Sequence, residues 1–302
     1  MGIDLSVKLG LIDMKNPVMA ASGTFGYGEE YSQLVDIGKL GGIVTKSITL
    51  RPRIGNPSPR IAETSSGMLN SIGLENVGVE KFLSEKLPYL QKCKVPVIVS
   101  IAGERIGEYA ELAKRLSDKE GVDGIELNIS CPNVEEGGME FSTTPRLTYT
   151  IVKRVRKSTG ITLIAKLSPN VTDIVSIAKA AEDGGCDAVS LVNTFLGMAI
   201  DIKERKPKLG NITGGLSGPC IKPIAVRMVW QVSKAVKVPV IGMGGIINSE
   251  DAIEFIMAGA AAVAIGTGNF VNPRTAIEVI DGIRKYMTEN KIRQLNDIII
   301  RI

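Results

Sequence analysis

Residues Pro239–Gly268 read PVIGMGGIINSEDAIEFIMAGAAAVAIGTG, and this stretch decides the fold. It opens on a short apolar run, Pro239–Gly245, that ends in glycines. An amphipathic stretch, Ser249–Ala258, follows, and then a second run of the same kind, Ala262–Gly268. Strand, helix and strand in that order form a βαβ unit, whose two strands lie parallel in one sheet. Both strands are apolar on successive residues, as strands covered on both faces must be.

Outward from this unit the pattern repeats. Six more runs precede it, at Pro17–Ser22, Gly41–Ser47, Pro96–Ala102, Gly124–Ser130, Thr162–Ser168 and Ala188–Thr194. Helical patterns at Glu104–Lys119, Arg146–Ser158, Thr172–Gly184 and Lys222–Val236 separate the later ones. Eight strands with helices between them predict an α/β protein of the TIM, or (β/α)8, barrel type, with residues 1–302 forming a single domain. Three connections exceed what a barrel needs: Thr49–Asn76, Cys131–Pro145 and Phe195–Gly218. Each follows a strand, so each is expected to cap the C-terminal face, where barrel active sites are built.

Composition removes several chemistries. The 302 residues contain no histidine, which excludes a Ser-His-Asp triad, a His-ligated metal and a proximal-His haem. Cys93, Cys131, Cys186 and Cys220 form no C-x-x-C pair, so neither an iron–sulfur cluster nor a zinc knuckle is expected in this chain, and no metal site is assigned. Reduced thiols point to the cytoplasm. The net charge of +4 is spread along the chain without a dense basic run, which argues against nucleic-acid binding. No apolar run approaches the ~20 residues needed to cross a bilayer, and no membrane partner is expected.

The expected strand ends carry Ala21-Ser22, Thr45-Lys46, Ser100, Asn128, Lys166, Asn193-Thr194, Gly244-Gly245 and Gly266-Thr267. Lysines inside buried strand runs are costly unless they meet an anion or a polar ligand, which singles out Lys46 and Lys166. The glycine turns after the seventh and eighth strands fit a phosphate site, because glycine lets backbone N–H groups approach an anion closely. Neither turn is a G-x-G-x-x-G dinucleotide fingerprint. Cys131 begins the loop after the fourth strand, and with no histidine present a thiol is available as general base; Cys220 is the weaker rival. Cys93 and Cys186 fall in helix-to-strand connections on the opposite face.

Taken together, Asn128–Asn133, Asn70-Ser71-Ile72-Gly73-Leu74, Val192-Asn193-Thr194 and the two glycine turns resemble class 1 dihydroorotate dehydrogenases along nearly the whole chain. The loop from Cys131 through Gly137-Gly138-Met139 is similar to the NAD-linked class 1B form. The resemblance implies an FMN-containing barrel that oxidises dihydroorotate to orotate in pyrimidine biosynthesis. By position, Ala21, Ser22, Thr45, Lys46, Ser100, Asn128, Lys166, Val192, Gly218, Gly244, Gly245, Gly266 and Thr267 would hold FMN. Lys46, Asn70, Ser71, Ile72, Gly73, Leu74, Asn128, Asn193 and Thr194 would hold the substrate, and Cys131 would be the catalytic base. The class further implies a partner subunit carrying FAD and a [2Fe–2S] cluster, docked to a homodimer in a heterotetramer. Two features depart from the family pattern, Ser100 where asparagine is frequent and the acidic pair Glu135-Glu136. The alternatives are a fumarate-linked class 1A enzyme, a related dihydropyrimidine dehydrogenase, a Schiff-base aldolase using Lys166, and a binding scaffold without turnover.

Overall fold

The computed structural model describes residues 2–129 and 143–300. Eight strands close into a barrel: β1 (Val18–Ala20), β2 (Gly42–Val44), β3 (Val97–Ile101), β4 (Gly124–Asn128), β5 (Thr162–Lys166), β6 (Ala188–Leu191), β7 (Val240–Met243) and β8 (Ala262–Ile265). Each pairs in parallel with its sequence neighbours, and β8 returns to β1 through Val263 opposite Val18. All eight expected strands are present, with shorter ends than the apolar runs suggested. The surplus residues on the C-terminal side turn out of the barrel and line its mouth.

Side chains alternate along each strand, so one set fills the barrel and the other packs on the helices. Met19, Val44, Ile98, Ile164, Ala188, Ile241 and Ala262 belong to the inner cluster. Ile43, Val97, Val99, Ile125, Leu163 and Val189, one residue out of phase, join the larger layer against the helices. The expected helices lie at Ile106–Ser117, Pro145–Arg156, Ile174–Gly184, Lys222–Ser233 and Ser249–Met257. A further one, Thr275–Glu289, packs against Ser249–Met257 and buries Val279, Ile283 and Met287.

The two ends of the barrel are closed differently. An antiparallel hairpin, Val7–Leu9 with Ile12–Met14, sends Leu9, Ile12 and Met14 into the inner cluster from below. At the other end, two of the long connections fold onto each other. Strands Phe195–Met198, Thr213–Ser217, Gly67–Asn70 and Ile61–Thr64 make a four-stranded antiparallel sheet over the mouth. Glycine permits this close stacking: a Cβ on Gly67 would stand 2.1 Å from the Ser217 carbonyl oxygen, and one on Gly215 would stand 2.0 Å from Thr194 Oγ1. The third long connection lies largely outside the described residues.

Candidate active site

Between the barrel mouth and this roof lies a cavity of about 470 Å³. Ala21, Ser22, Lys46, Asn128, Lys166, Val192 and Gly266 reach it from the barrel wall, and Asn70 through Leu74 reach it from the roof. Asn193, Thr194, Gly218, Gly244, Gly245 and Thr267 complete the part foreseen from sequence. Residues from positions 21 to 267 therefore meet in one concavity, as the strand-end reading requires.

Two expected residues stand apart. Thr45 is fully buried and outside the cavity wall, and its Oγ1 accepts a hydrogen bond from the Ser100 N–H at 3.2 Å. The two-residue period of β2 explains this, since Val44 and Lys46 point inward and Thr45 points the other way. Ser100 is also fully buried and does not line the cavity; its hydroxyl lies 2.8 Å from Ser47 Oγ. Ser47 in turn accepts from Asn128 Nδ2 at 3.1 Å and sits 3.5 Å from Ser22 Oγ. Ser100 thus supports Ser47 and Asn128 from behind. Cys131, with the Glu135-Glu136 pair, falls outside the described residues.

The other cysteines fit structural roles. Burial pushes the Cys186 thiol up to about 12 and raises that of Cys93 as well. Cys220 is exposed, off the cavity wall, with Sγ 3.7 Å from the Ser217 carbonyl.

The glycine turns have the backbone that a cradle requires. Gly244 and Gly245 have φ of 121° and 82°, a region favoured by glycine, and a Cβ on Gly245 would meet Lys222 Cβ at 2.8 Å. Asp251 fixes the turn by accepting the N–H groups of Ile247 and Asn248 at 3.0 and 3.2 Å. Lys222 bridges Asp251 and Glu254, both at 2.7 Å, which raises its pKa. Gly266 differs. Its φ is not in the left-handed region, and a Cβ there would find only Thr24 and Ala21, at 3.8 and 3.9 Å. The space beside it belongs to the cavity.

Charge is distributed unevenly. Among the described residues Lys46 has no carboxylate within ion-pairing distance. Lys166 instead faces Glu126, with Nζ 3.7 Å from Oε1 and side-chain exposures of 8% and 2%. Asparagines supply both donors and acceptors: Asn70 Nδ2 donates to the Gly215 carbonyl at 3.1 Å, and Asn193 Oδ1 accepts from the Thr194 N–H at 2.7 Å.

Sequence reading missed several participants. Asn170 ties the mouth together, its Nδ2 donating to the Thr194 carbonyl and its Oδ1 accepting from the Leu196 N–H. Ser217 accepts from Thr267 Oγ1 at 2.7 Å, linking the roof to the β8 turn. Asn56 donates to Ser71 Oγ at 2.8 Å and holds the roof loop. Asn170 follows β5 by only four residues, which was a usable signal; the other two depend on how the roof folds.

A (β/α)8 barrel with a roofed, glycine-cradled and cationic cavity at its C-terminal face defines the class as that of ligand-binding barrel enzymes. Residues 4–287 match the dihydroorotate dehydrogenase family, and the chain belongs to that family. It is 55% identical over 299 residues to a protein of Desulforamulus reducens named dihydroorotate dehydrogenase B (NAD(+)), catalytic subunit, covering 99% of this chain and 98% of the relative. A protein of the same name from Thermoanaerobacter sp. (strain X514) is 57% identical over 297 residues, covering 98% of each. Among solved structures, a DHODH from Eimeria tenella in complex with ferulenol superposes with a TM-score of 0.80, covering 98% of this chain and 88% of that one. At 24% identity it bears on the fold alone.

Proposed function

We infer that this chain is the FMN-binding catalytic subunit of an NAD-linked dihydroorotate dehydrogenase, acting as one barrel unit in pyrimidine biosynthesis. The observation that carries the reading is Lys46, a cation with no counter-ion among the described residues, in a cavity otherwise rich in amide side chains. A carboxylated pyrimidine offers that cavity one anion and a ring of amide groups, which lysine and asparagine match.

The residues present fit FMN. The backbone N–H groups around Gly244-Gly245 and Gly266-Thr267 suit a phosphate, and Gly266 leaves room that a side chain would fill. Ser22, Asn128 and Lys166 would face the remainder of the cofactor. When bound, FMN supplies a two-electron acceptor for the hydride at substrate C6. Cys131 takes the proton from C5 as general base. Lys46 holds the carboxylate, and Asn70, Asn128 and Asn193 hold the amide groups of the ring. The roof strands exclude water from the reacting face.

The electrons leave through a second protein. Relatives named catalytic subunits imply a partner, and this chain carries neither a dinucleotide fingerprint nor a cysteine cluster in its sequence. A partner holding FAD and a [2Fe–2S] cluster, in a heterotetramer built on a homodimer, completes transfer to NAD. Among the described residues no helix is long and apolar enough to cross a membrane.

The test is to purify the chain, measure bound FMN, and assay dihydroorotate oxidation with an artificial acceptor and with NAD⁺. The reading expects FMN, turnover with the artificial acceptor, and NAD⁺ reduction only with the partner present. A chain that neither contains nor takes up FMN refutes it.

A further inference from the structure

Glu126 is a carboxylate inside the barrel that the reaction above does not use. It lies on β4 two residues before Asn128, on the same inward face, and is 1% exposed. One oxygen, Oε2, accepts from Ser190 Oγ at 3.0 Å. The other, Oε1, is buried without a hydrogen-bond partner and faces the Lys166 ammonium at 3.7 Å. Ser190 and Asn128 both stand opposite Lys166 in the strand register, so three adjacent strands, β4, β5 and β6, bring the group together.

The spacing is informative. At 3.7 Å the carboxylate compensates the ammonium electrostatically but takes no hydrogen bond from it. Among the described residues Lys166 has no other ion-pair or hydrogen-bond partner, so its N–H groups stay available to whatever occupies the cavity. A direct hydrogen bond to Glu126 would have turned them away. A buried carboxylate with one unsatisfied oxygen is costly in a structural core, where a satisfied pair or an apolar residue serves better.

We propose that Glu126, oriented by Ser190, is a positioning residue: it compensates the Lys166 ammonium and holds it aimed into the cavity while leaving the lysine's hydrogen bonds to the ligand. The proposal rests on the flavin reading only for its second readout. The Glu126→Gln change keeps shape and the Ser190 hydrogen bond, yet sets an amide beside an ammonium that has lost its counter-charge.

The experiment compares wild-type and Glu126→Gln chains, purified with and without added FMN, by limited acetylation and mass spectrometry, with exposed Lys8 and Lys285 as internal references. Acetylation requires an uncharged amine, so Lys166 should react about tenfold faster in the variant relative to the reference lysines. In the flavin-loaded chains, the ammonium that has lost its counter-charge should favour the electron-rich reduced cofactor by about tenfold, which is about 30 mV for a two-electron couple. Lys166→Met, which removes the cation and leaves the carboxylate, should shift it the opposite way. A merely structural Glu126 would lower thermal stability and leave the relative reactivity of Lys166 and the potential unchanged, and that result overturns the proposal. Should Glu126→Gln not fold, Glu126→Asp, which withdraws the charge by one methylene, is expected to move both readouts the same way by less; no movement overturns the proposal equally. A chain that binds no FMN but shows the enhanced acetylation upholds Glu126 and defeats the flavin reading instead.

Discussion

Gly245 and Gly266 look alike in sequence, but the structure separates what an added methyl group would do at each. At Gly245 an alanine meets Lys222 Cβ at 2.8 Å and the Gly218 carbonyl at 2.9 Å, on a backbone with φ of 82°. The left-handed conformation costs an alanine ~1–2 kcal/mol, and relieving two contacts under 3 Å costs ~1–3 kcal/mol more. Gly245→Ala should therefore lose about 2–5 kcal/mol of folding stability. At Gly266 an alanine meets nothing nearer than 3.8 Å and needs no unusual backbone, so stability should change by no more than about 0.5–1 kcal/mol, in either direction. The methyl group instead enters the space assigned to the cofactor phosphate. Losing close backbone approach there should weaken FMN binding by about tenfold to a hundredfold, the range for one or two charge-assisted hydrogen bonds. Urea denaturation of flavin-free protein and fluorescence titration with FMN measure the two quantities separately. If Gly266→Ala bound FMN as tightly as the wild type, or if both variants lost stability equally, the placement of the phosphate cradle would be wrong.

Other outcomes follow from the same geometry. In FMN-loaded protein, Lys46→Met should weaken orotate binding about tenfold to a hundredfold, as measured by the flavin spectral change on titration with orotate. Cys131→Ala should abolish flavin reduction by dihydroorotate but spare orotate binding, because a base acts in the transition state more than in the ground state. Burial raises the Cys186 thiol from its ordinary 9.0 to about 12, so the native state keeps a proton that the unfolded chain releases. Its contribution to stability is complete below pH ~9 and declines as pH rises toward ~12, and Cys186→Ala should flatten that decline in urea titrations. With iodoacetamide, exposed Cys220 should be alkylated in the native protein, whereas Cys186 should react only after unfolding.

The barrel was legible because its signal is local and repeated: each buried strand announces itself as an apolar run, and eight of them admit one closed arrangement. Most of the cavity wall was legible for the same reason, since the residue after a short buried strand must lie at its mouth. Two expected residues lie off the cavity wall, and periodicity within those runs explains where they sit. Thr45 was grouped with Lys46, although neighbours on a strand face opposite ways. Ser100 shares the inward phase of Ile98 but sits too deep, behind Ser47. Glu126 went unnoticed because it lies inside a run rather than at its end, though its phase matches that of Asn128. The roof was legible only as two long glycine-bearing loops. Their pairing, Asn70 opposite Gly215 and Ser217 opposite Met68, joins segments almost 150 residues apart, and no local pattern encodes such contacts.

The proposed function requires that this chain, by itself, oxidise dihydroorotate and pass the electrons to bound FMN. Anaerobic mixing of the purified, FMN-loaded chain with dihydroorotate, followed by flavin absorbance, tests it directly. The wild type should lose its oxidised-flavin absorbance rapidly and form one orotate per flavin, with no such change in Cys131→Ala. An FMN-loaded wild-type chain whose spectrum is unaltered by excess dihydroorotate would contradict it.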